Sequence, residues 1–296
     1  MIENQARRRF KNSVIHLILF AFSLLCIIPI VVVASIAFSS ESSLNDVGYT
    51  LVPSDPSITA FRYILKNSNQ ILRAYGVSLA NTSLGTISSL FVISLLAFPL
   101  SRRDYRLRKP LAFFVFFTLL FNGGLVPWYI LISKYLHLKD TIFVLFVPYL
   151  VIPWFVLLLR TFFSQIPMSI FESAKIDGAS EFAIYSRILM PLSKPALATV
   201  GLFITLNYWN DWWLPLLYID NEALIPLPAL LSRMMMNITY LTTQMTNSFI
   251  QIDISNIPKE SARMAMALLA AGPMLFVFPF FQKYFVRGLT AGSLKG

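Results

Sequence analysis

Residues 14–38 run for 25 positions without an Asp, Glu, Lys or Arg. An α-helix rises about 1.5 Å per residue, so the run exceeds the roughly 30 Å hydrocarbon core of a bilayer. No amphipathic surface helix of a soluble protein has this pattern, because one face of such a helix must meet water. Arg7, Arg8, Arg9 and Lys11 precede the run, and Ala34 and Ala37 resemble the small residues of a secretory cleavage site. The core of a signal peptide is only about 7 to 15 residues long, so a retained first span is the reading. Five further apolar stretches follow, at residues 76–100, 111–132, 141–159, 196–217 and 264–281.

The composition agrees, with 13% charged and 56% hydrophobic residues against about 25% charged in an ordinary soluble chain. The expected fold class is therefore all-α, a polytopic membrane protein of six transmembrane helices. Its parts are an N-terminal segment 1–13, a membrane domain 14–281 and a tail 282–296. Pro29, Pro148, Pro153, Pro273 and Pro279 lie in the spans and predict bent helices whose freed carbonyls find other partners. Gly123 and Gly124 interrupt the third span; close helix packing is the expectation there, with a hinge as the alternative.

The formal net charge of +10 would suggest a polyanion partner in a soluble protein. Here it sorts by side of the membrane. Segments 1–12, 101–110, 160–195 and 282–296 together hold 16 Lys and Arg but 5 Asp and Glu, whereas the opposite side holds 8 of each. Lys and Arg near span ends favour the cytoplasm, so both termini are expected there, in a cell membrane. This removes the support for nucleic-acid binding and leaves anionic membrane lipid as a partner of the basic clusters. The single cysteine, Cys26, cannot form an intrachain disulfide, and two histidines make a metal centre an unpromising expectation.

Three connections are long. Segment 39–75 is polar, then partly amphipathic, and is expected to pack on the outer rim. Segment 220–262 suggests a short surface helix followed by a loop, with Met234, Met235 and Met236 as packing residues. Segment 164–195 reads as helix, turn, helix. Ile170, Ala174 and Ile176 bracket a first helix that exposes Glu172 and Lys175, and Gly178 after Asp177 ends it at positive φ. Ser180 caps a second helix carrying Phe182, Ile184, Tyr185, Ile188 and Leu189, which Pro191 and Pro195 limit or redirect.

In this loop Glu172, Ser173, Ala174, Gly178, Ile188, Met190 and Pro191 stand in the register Glu-Ala-Ala, three residues, Gly, nine residues, Ile-x-Leu-Pro. Ser173 and Met190 depart from it while keeping modest size or apolar character. The pattern resembles the permease subunits of bacterial ATP-binding-cassette (ABC) importers. The tail at residues 285–296 and the span-five sequence at residues 208–216 are closest to the carbohydrate-uptake branch, similar to maltose and complex-oligosaccharide permeases.

The resemblance implies that the first loop helix is a coupling helix entering a cleft on a partner ATPase. Glu172, Ser173, Ala174, Asp177, Gly178, Ile188 and Pro191 are the candidate residues, Asp177 tuning the turn. It also implies a second homologous permease, two ATP-binding-cassette ATPase subunits or domains, an extracellular solute-binding protein and a sugar or oligosaccharide substrate. ATP and Mg would then reside on the ATPases, and this chain holds no cofactor and no catalytic set. Another polar solute, a membrane scaffold for a soluble partner and a membrane enzyme are the rival readings.

Within span five, Asn210 and Asp211 stand among Trp209, Trp212 and Trp213. A charge inside a span faces a bundle interior or an aqueous path, and sugars offer hydroxyls to polar groups and ring faces to aromatics. Trp209, Asn210, Asp211 and Trp212, with Asn81 in span two, are candidate path residues; a structural hydrogen-bond network is the alternative.

Overall fold

The computed structural model describes residues 2–247 and 258–293, and among them every regular element is helical. An isolated bridge joins Ser39 to Pro56. The chain starts with α1 (Ile2–Ala37) and the short α2 (Glu41–Asp46) and α3 (Thr59–Ile64). The long α4 (Ser68–Ser101) is followed by α5 (Arg108–Leu120) and α6 (Leu125–Ile130). Next come α7 (Pro153–Phe163) and α8 (Met168–Ile176). The brief α9 (Glu181–Ala183), a π-turn at Ile184–Leu189 and α10 (Met190–Leu192) form one helical stretch. Then come α11 (Lys194–Trp209), α12 (Trp213–Tyr218), α13 (Leu227–Asn247) and α14 (Glu260–Ser293).

Three helical segments are each long and apolar enough to cross a membrane alone: Asn12–Ala37, Ser68–Ser101 and Glu260–Pro279. Three bent pairs become candidates when each is taken as one broken span. Arg108–Leu120 and Leu125–Tyr135 meet at 110°, Ile142–Tyr149 and Pro153–Phe163 at 52°, and Glu181–Leu192 and Lys194–Tyr218 at 81°.

The breaks have local causes. Gly124 takes φ +87 and the Asn122 Oδ1 accepts its backbone N–H at 2.8 Å, a turn that ends α5. Among the described residues a Cβ added at Gly123 or Gly124 would meet no atom within 4 Å, so the close packing expected within the chain is corrected: Gly124, at positive φ, serves a backbone bend. Pro148 lies in a 3-10 turn and Pro153 opens α7, where the fourth segment breaks. Pro29, Pro273 and Pro279 instead lie within continuous α-helices.

The chain forms two compact units, Met1–Ser68 with Arg233–Gly272 and Asn69–Ser232 with Pro273–Gly296. In the first, the side chains of residues 12–31 on α1 are exposed, as suits a helix solvated by hydrocarbon. Ser40 caps α2, and the Phe38 and Phe61 rings pack with centroids 4.7 Å apart. Glu41 satisfies the start of α14 by accepting from the Glu260 N–H at 2.9 Å, the Ser261 N–H at 3.1 Å and the Ser261 hydroxyl at 2.8 Å. α13 is 21 residues long, so the short surface helix expected there is corrected to a long one.

In the second unit, α4 buries one face of small and polar residues at helical spacing: Ser78, Asn81, Thr82, Gly85 and Ser89, continued by Ile93 and Ala97. A Cβ at Gly85 would stand 2.8 Å from the Tyr208 ring, so this glycine admits the tyrosine of α11. The Tyr208 hydroxyl shares a hydrogen bond with Ser89 Oγ at 2.8 Å and donates to the Phe146 carbonyl at 3.1 Å. Towards the other end of α4, Phe98, Leu159, Phe163, Phe171, Tyr185 and Leu189 belong to one apolar core. Two polar contacts hold that end: Ser94 Oγ with Tyr185 Oη at 2.6 Å, and Arg160 Nε donating to the Leu100 carbonyl at 3.2 Å.

Candidate functional site

The 164–195 loop folds as its local chemistry requires. α8 stops at Asp177 because Gly178 turns at φ +79. The Gly178 N–H donates to the Lys175 carbonyl at 3.0 Å and the Ala179 N–H to the Ala174 carbonyl at 2.9 Å, the paired bonds of a Schellman turn. The Ser180 hydroxyl accepts from the Ala183 N–H at 3.2 Å and starts the next helix. Between Leu192 and Lys194 the chain then swings by 81°, with Pro191 and Pro195 on either side of the bend.

The structure adds which side of this helix faces in. Phe171 and Ala174 form the buried face of α8, whereas Ile176 is 87% exposed. The following Phe182 is 69% exposed, so two large apolar side chains flank the Gly178 turn without cover from the chain's described residues. Glu172, Ser173, Asp177 and Gly178 share this exposed surface, while Ala174 points into the core. Ile188 is half-buried and Pro191 exposed on the following helical stretch.

The tight 101–108 connection places charge against this loop. Arg102 is 4% exposed and donates from Nε to Asp104 Oδ1 at 2.9 Å and from Nη2 to Asp104 Oδ2 at 2.8 Å. Its guanidinium carbon lies 4.8 Å from the Phe171 ring centroid and 5.6 Å from that of Phe98, within cation–π range. Lys175 Nζ reaches Asp104 Oδ2 at 2.9 Å and Glu181 Oε1 at 2.8 Å. Glu181 Oε2 stands 3.5 Å from Arg102 Nη1, an ion pair without hydrogen-bond alignment. The hydrogen bonds from Arg102, joined by the one from Lys175, outweigh desolvation and hold the Asp104 carboxyl well below the usual carboxylate range. Glu181, then Asp104, raises the Lys175 ammonium correspondingly. From sequence Arg102 carries only a signal of membrane orientation, and Asp104 and Glu181 carry none; their partnership spans 71 residues between Asp104 and Lys175.

Span five breaks at residues 210–212, and the polar pair serves the break. Asn210 Nδ2 donates to the Leu206 carbonyl at 2.9 Å. Asp211 Oδ1 accepts from the Trp213 N–H at 3.0 Å and the Leu214 N–H at 3.4 Å, using backbone donors at the start of α12. Its Oδ2 is buried without a hydrogen-bond partner. Trp209 is 1% exposed, whereas Trp212 is 46% exposed and meets the Trp213 ring edge-on. The expected tryptophan set thus divides into one core residue and two surface ones. Asn81 is buried on α4 with Oδ1 unpartnered, as are the hydroxyls of Thr82 and Tyr218. No motif in the sequence marks Thr82 or Tyr218.

Among the described residues no three His, Cys, Asp or Glu side chains converge to hold a metal ion. The arrangement can present hydrogen-bonding groups to a polar solute at one place and a small apolar projection to a protein at another. No protein-family model matches the chain. A polygalacturonan/rhamnogalacturonan transport system permease protein, YtcP of Bacillus subtilis, is 36% identical over 98% of this chain and 100% of its own length. Protein LplC of the same organism is 35% identical, covering 91% of this chain and 90% of its own. A chain in the crystal structure of a bacterial ABC transporter that imports the acidic polysaccharide alginate superposes with a TM-score of 0.75 at 26% identity, covering 94% of this chain and 97% of that one.

Proposed function

The chain belongs to the permease subunits of carbohydrate ABC importers, and on that premise we propose how its parts serve transport. It is an integral membrane subunit that forms part of the pathway for a sugar or oligosaccharide. The three continuous helices, the bent pairs Arg108–Leu120 with Leu125–Tyr135 and Ile142–Tyr149 with Pro153–Phe163, and Lys194–Tyr218 each count as one crossing, which gives six spans with both termini in the bacterial cytoplasm. The excess of Lys and Arg in segments 1–12, 101–110, 160–195 and 282–296 supports that orientation. A second homologous permease completes the pathway, an extracellular solute-binding protein delivers the substrate, and two ATPase subunits bind ATP and Mg. The substrates named for the first relative and for the structural neighbour are polysaccharides, which supports an oligosaccharide as the solute here.

α8 is the coupling helix in this reading. The observation that carries it is the pair of exposed apolar side chains, Ile176 and Phe182, flanking the Gly178 turn. Apolar surface of this size, rimmed by Glu172, Ser173 and Asp177, suits burial in a cleft of a partner protein. ATP-driven closure of two ATPases would move α8 and, through its buried Phe171 and Ala174, the spans. Asp211, Asn210 and Trp212 offer hydrogen bonds and a ring face to the passing sugar, while Trp209 holds the helix break from the core side and Asn81, buried on α4, stands back from the path.

Copurification tests the docking. Wild-type protein expressed with its transport partners is expected to retain the ATPases, and Ile176→Asp to lose them, since this 87% exposed position contributes little to the fold. Gly178→Asp is expected to act likewise by straining a residue at φ +79. Full retention and full uptake in both variants would refute α8 as the docking element.

A further inference from the structure

Among the four charges that meet at α8, Arg102 sets the group apart from ordinary surface ion pairs. Exposed pairs contribute little because water screens them and both side chains lose freedom. Arg102 is buried, holds Asp104 with two hydrogen bonds and lies near two aromatic rings, one of them Phe171 on α8 itself. Asp104 passes the connection to Lys175 of α8 at 2.9 Å, and Lys175 passes it to Glu181 of α9 at 2.8 Å. Two cations and two anions thus form a neutral group that joins Lys175 and Glu181 of the 164–195 loop to Arg102 and Asp104 of a connection whose other charges, Arg103, Arg106, Arg108 and Lys109, are all basic. The group begins one residue beyond α4, whose buried face carries Asn81 and Thr82.

Apolar contacts between α4 and α8, such as Phe98 against Phe171 at 6.4 Å, resist separation but are not directional. The bidentate Arg102–Asp104 pair, inside the 101–108 connection, fixes where the Asp104 carboxylate points, and its hydrogen bond from Lys175 then gives the contact with α8 a direction. We propose that Arg102, Asp104, Lys175 and Glu181 are positioning residues that clamp the coupling helix to the end of α4. A push on α8 by the ATPase then displaces α4 instead of sliding past it. This rests on the reading of α8 as the docking element and adds the chain's own part of the linkage.

The test uses the whole importer reconstituted in proteoliposomes, with ATP hydrolysed per sugar delivered as the readout. Arg102→Met and Asp104→Asn are expected to raise that ratio by about fivefold or more, within the usual range of coupling between sites. ATPase copurification should stay at the wild-type level, and Asp104→Glu should bring the ratio back towards wild type. Lys175→Gln and Glu181→Gln, at side chains 40% and 58% exposed, should raise it less and decide the matter if Arg102→Met does not assemble. A ratio unchanged in every assembled variant would overturn the proposal. So would uptake and hydrolysis falling in equal proportion, which is what a merely structural role produces. Loss of ATPase binding by Ile176→Asp together with an unchanged ratio in the four network variants would sink the clamp and spare the docking reading. Retention of the ATPases by Ile176→Asp would strike the docking reading itself.

Discussion

Asp104 and Asp211 are both carboxylates packed against helix ends, and the protein satisfies them in opposite ways. Asp104 is held by the side chains of Arg102 and Lys175, so each oxygen has a cationic partner. Asp211 is held by backbone N–H groups through one oxygen, and its other oxygen is buried and unpartnered. A carboxylate locked by cations has little left to offer a ligand and is suited to fixing geometry. One that borrows helix-end donors supports the backbone break with one oxygen and keeps the other for a further partner. α4 reaches towards both places, since its Gly85 and Ser89 receive Tyr208, three residues before Asp211, and Arg102 stands just past its end.

The strongest way to break the comparison is through that shared helix. Gly85→Val puts a side chain where even a Cβ lies 2.8 Å from the Tyr208 ring, and is expected to cost about 3 kcal/mol as overpacking. Thermal unfolding of the purified protein would read it, together with impaired uptake. Arg102→Met is next, at about 2 kcal/mol, because it removes one partner of a buried pair whose carboxylates are partly solvated. Asp211→Ala should cost about 1 kcal/mol, the usual value for losing a helix-end acceptor. Tyr208→Phe should cost about 1 kcal/mol or less, since one hydrogen bond each to Ser89 and Phe146 is lost with little change in packing.

A pH series sharpens the contrast with the smallest effect. The folded carboxyl of Asp104 titrates below its unfolded value near 3.9, so its stabilising contribution is present above about pH 4 and fades as pH falls through the folded value. The stability difference between wild type and Asp104→Asn should therefore be flat from about pH 5 to pH 8 and shrink in stronger acid. A difference that grows on acidification would contradict the ion-paired assignment.

Much of this was legible in the residues, and what was legible was local. The Gly178 turn and the Ser180 cap follow from backbone rules acting over four or five positions, and the structure has both. The pattern around Glu172 and Gly178 indicated the family that the relatives establish. What escaped was set by distant partners. Arg102 declared its sign but not its contacts, because Lys175 and Glu181 approach it only after the chain has folded. The exposure of Ile176 was not legible either, because apolar character does not say which side of a nine-residue helix faces in. Gly123 and Gly124 fit either a tight contact or a bend, and only φ +87 at Gly124, with no described atom packed against either, decides for the bend.

The most direct measurement of the division of labour sets Asp104→Asn beside Asp211→Asn in the same reconstituted importer, with the sugar concentration for half-maximal uptake and the ATP hydrolysed per sugar read from each vesicle preparation. Asp104→Asn is expected to raise ATP per sugar at an unchanged half-saturating concentration. Asp211→Asn is expected to shift the half-saturating concentration with ATP per sugar little altered. The reverse pattern, or an Asp211→Asn importer with wild-type half-saturation and rate, would contradict that division.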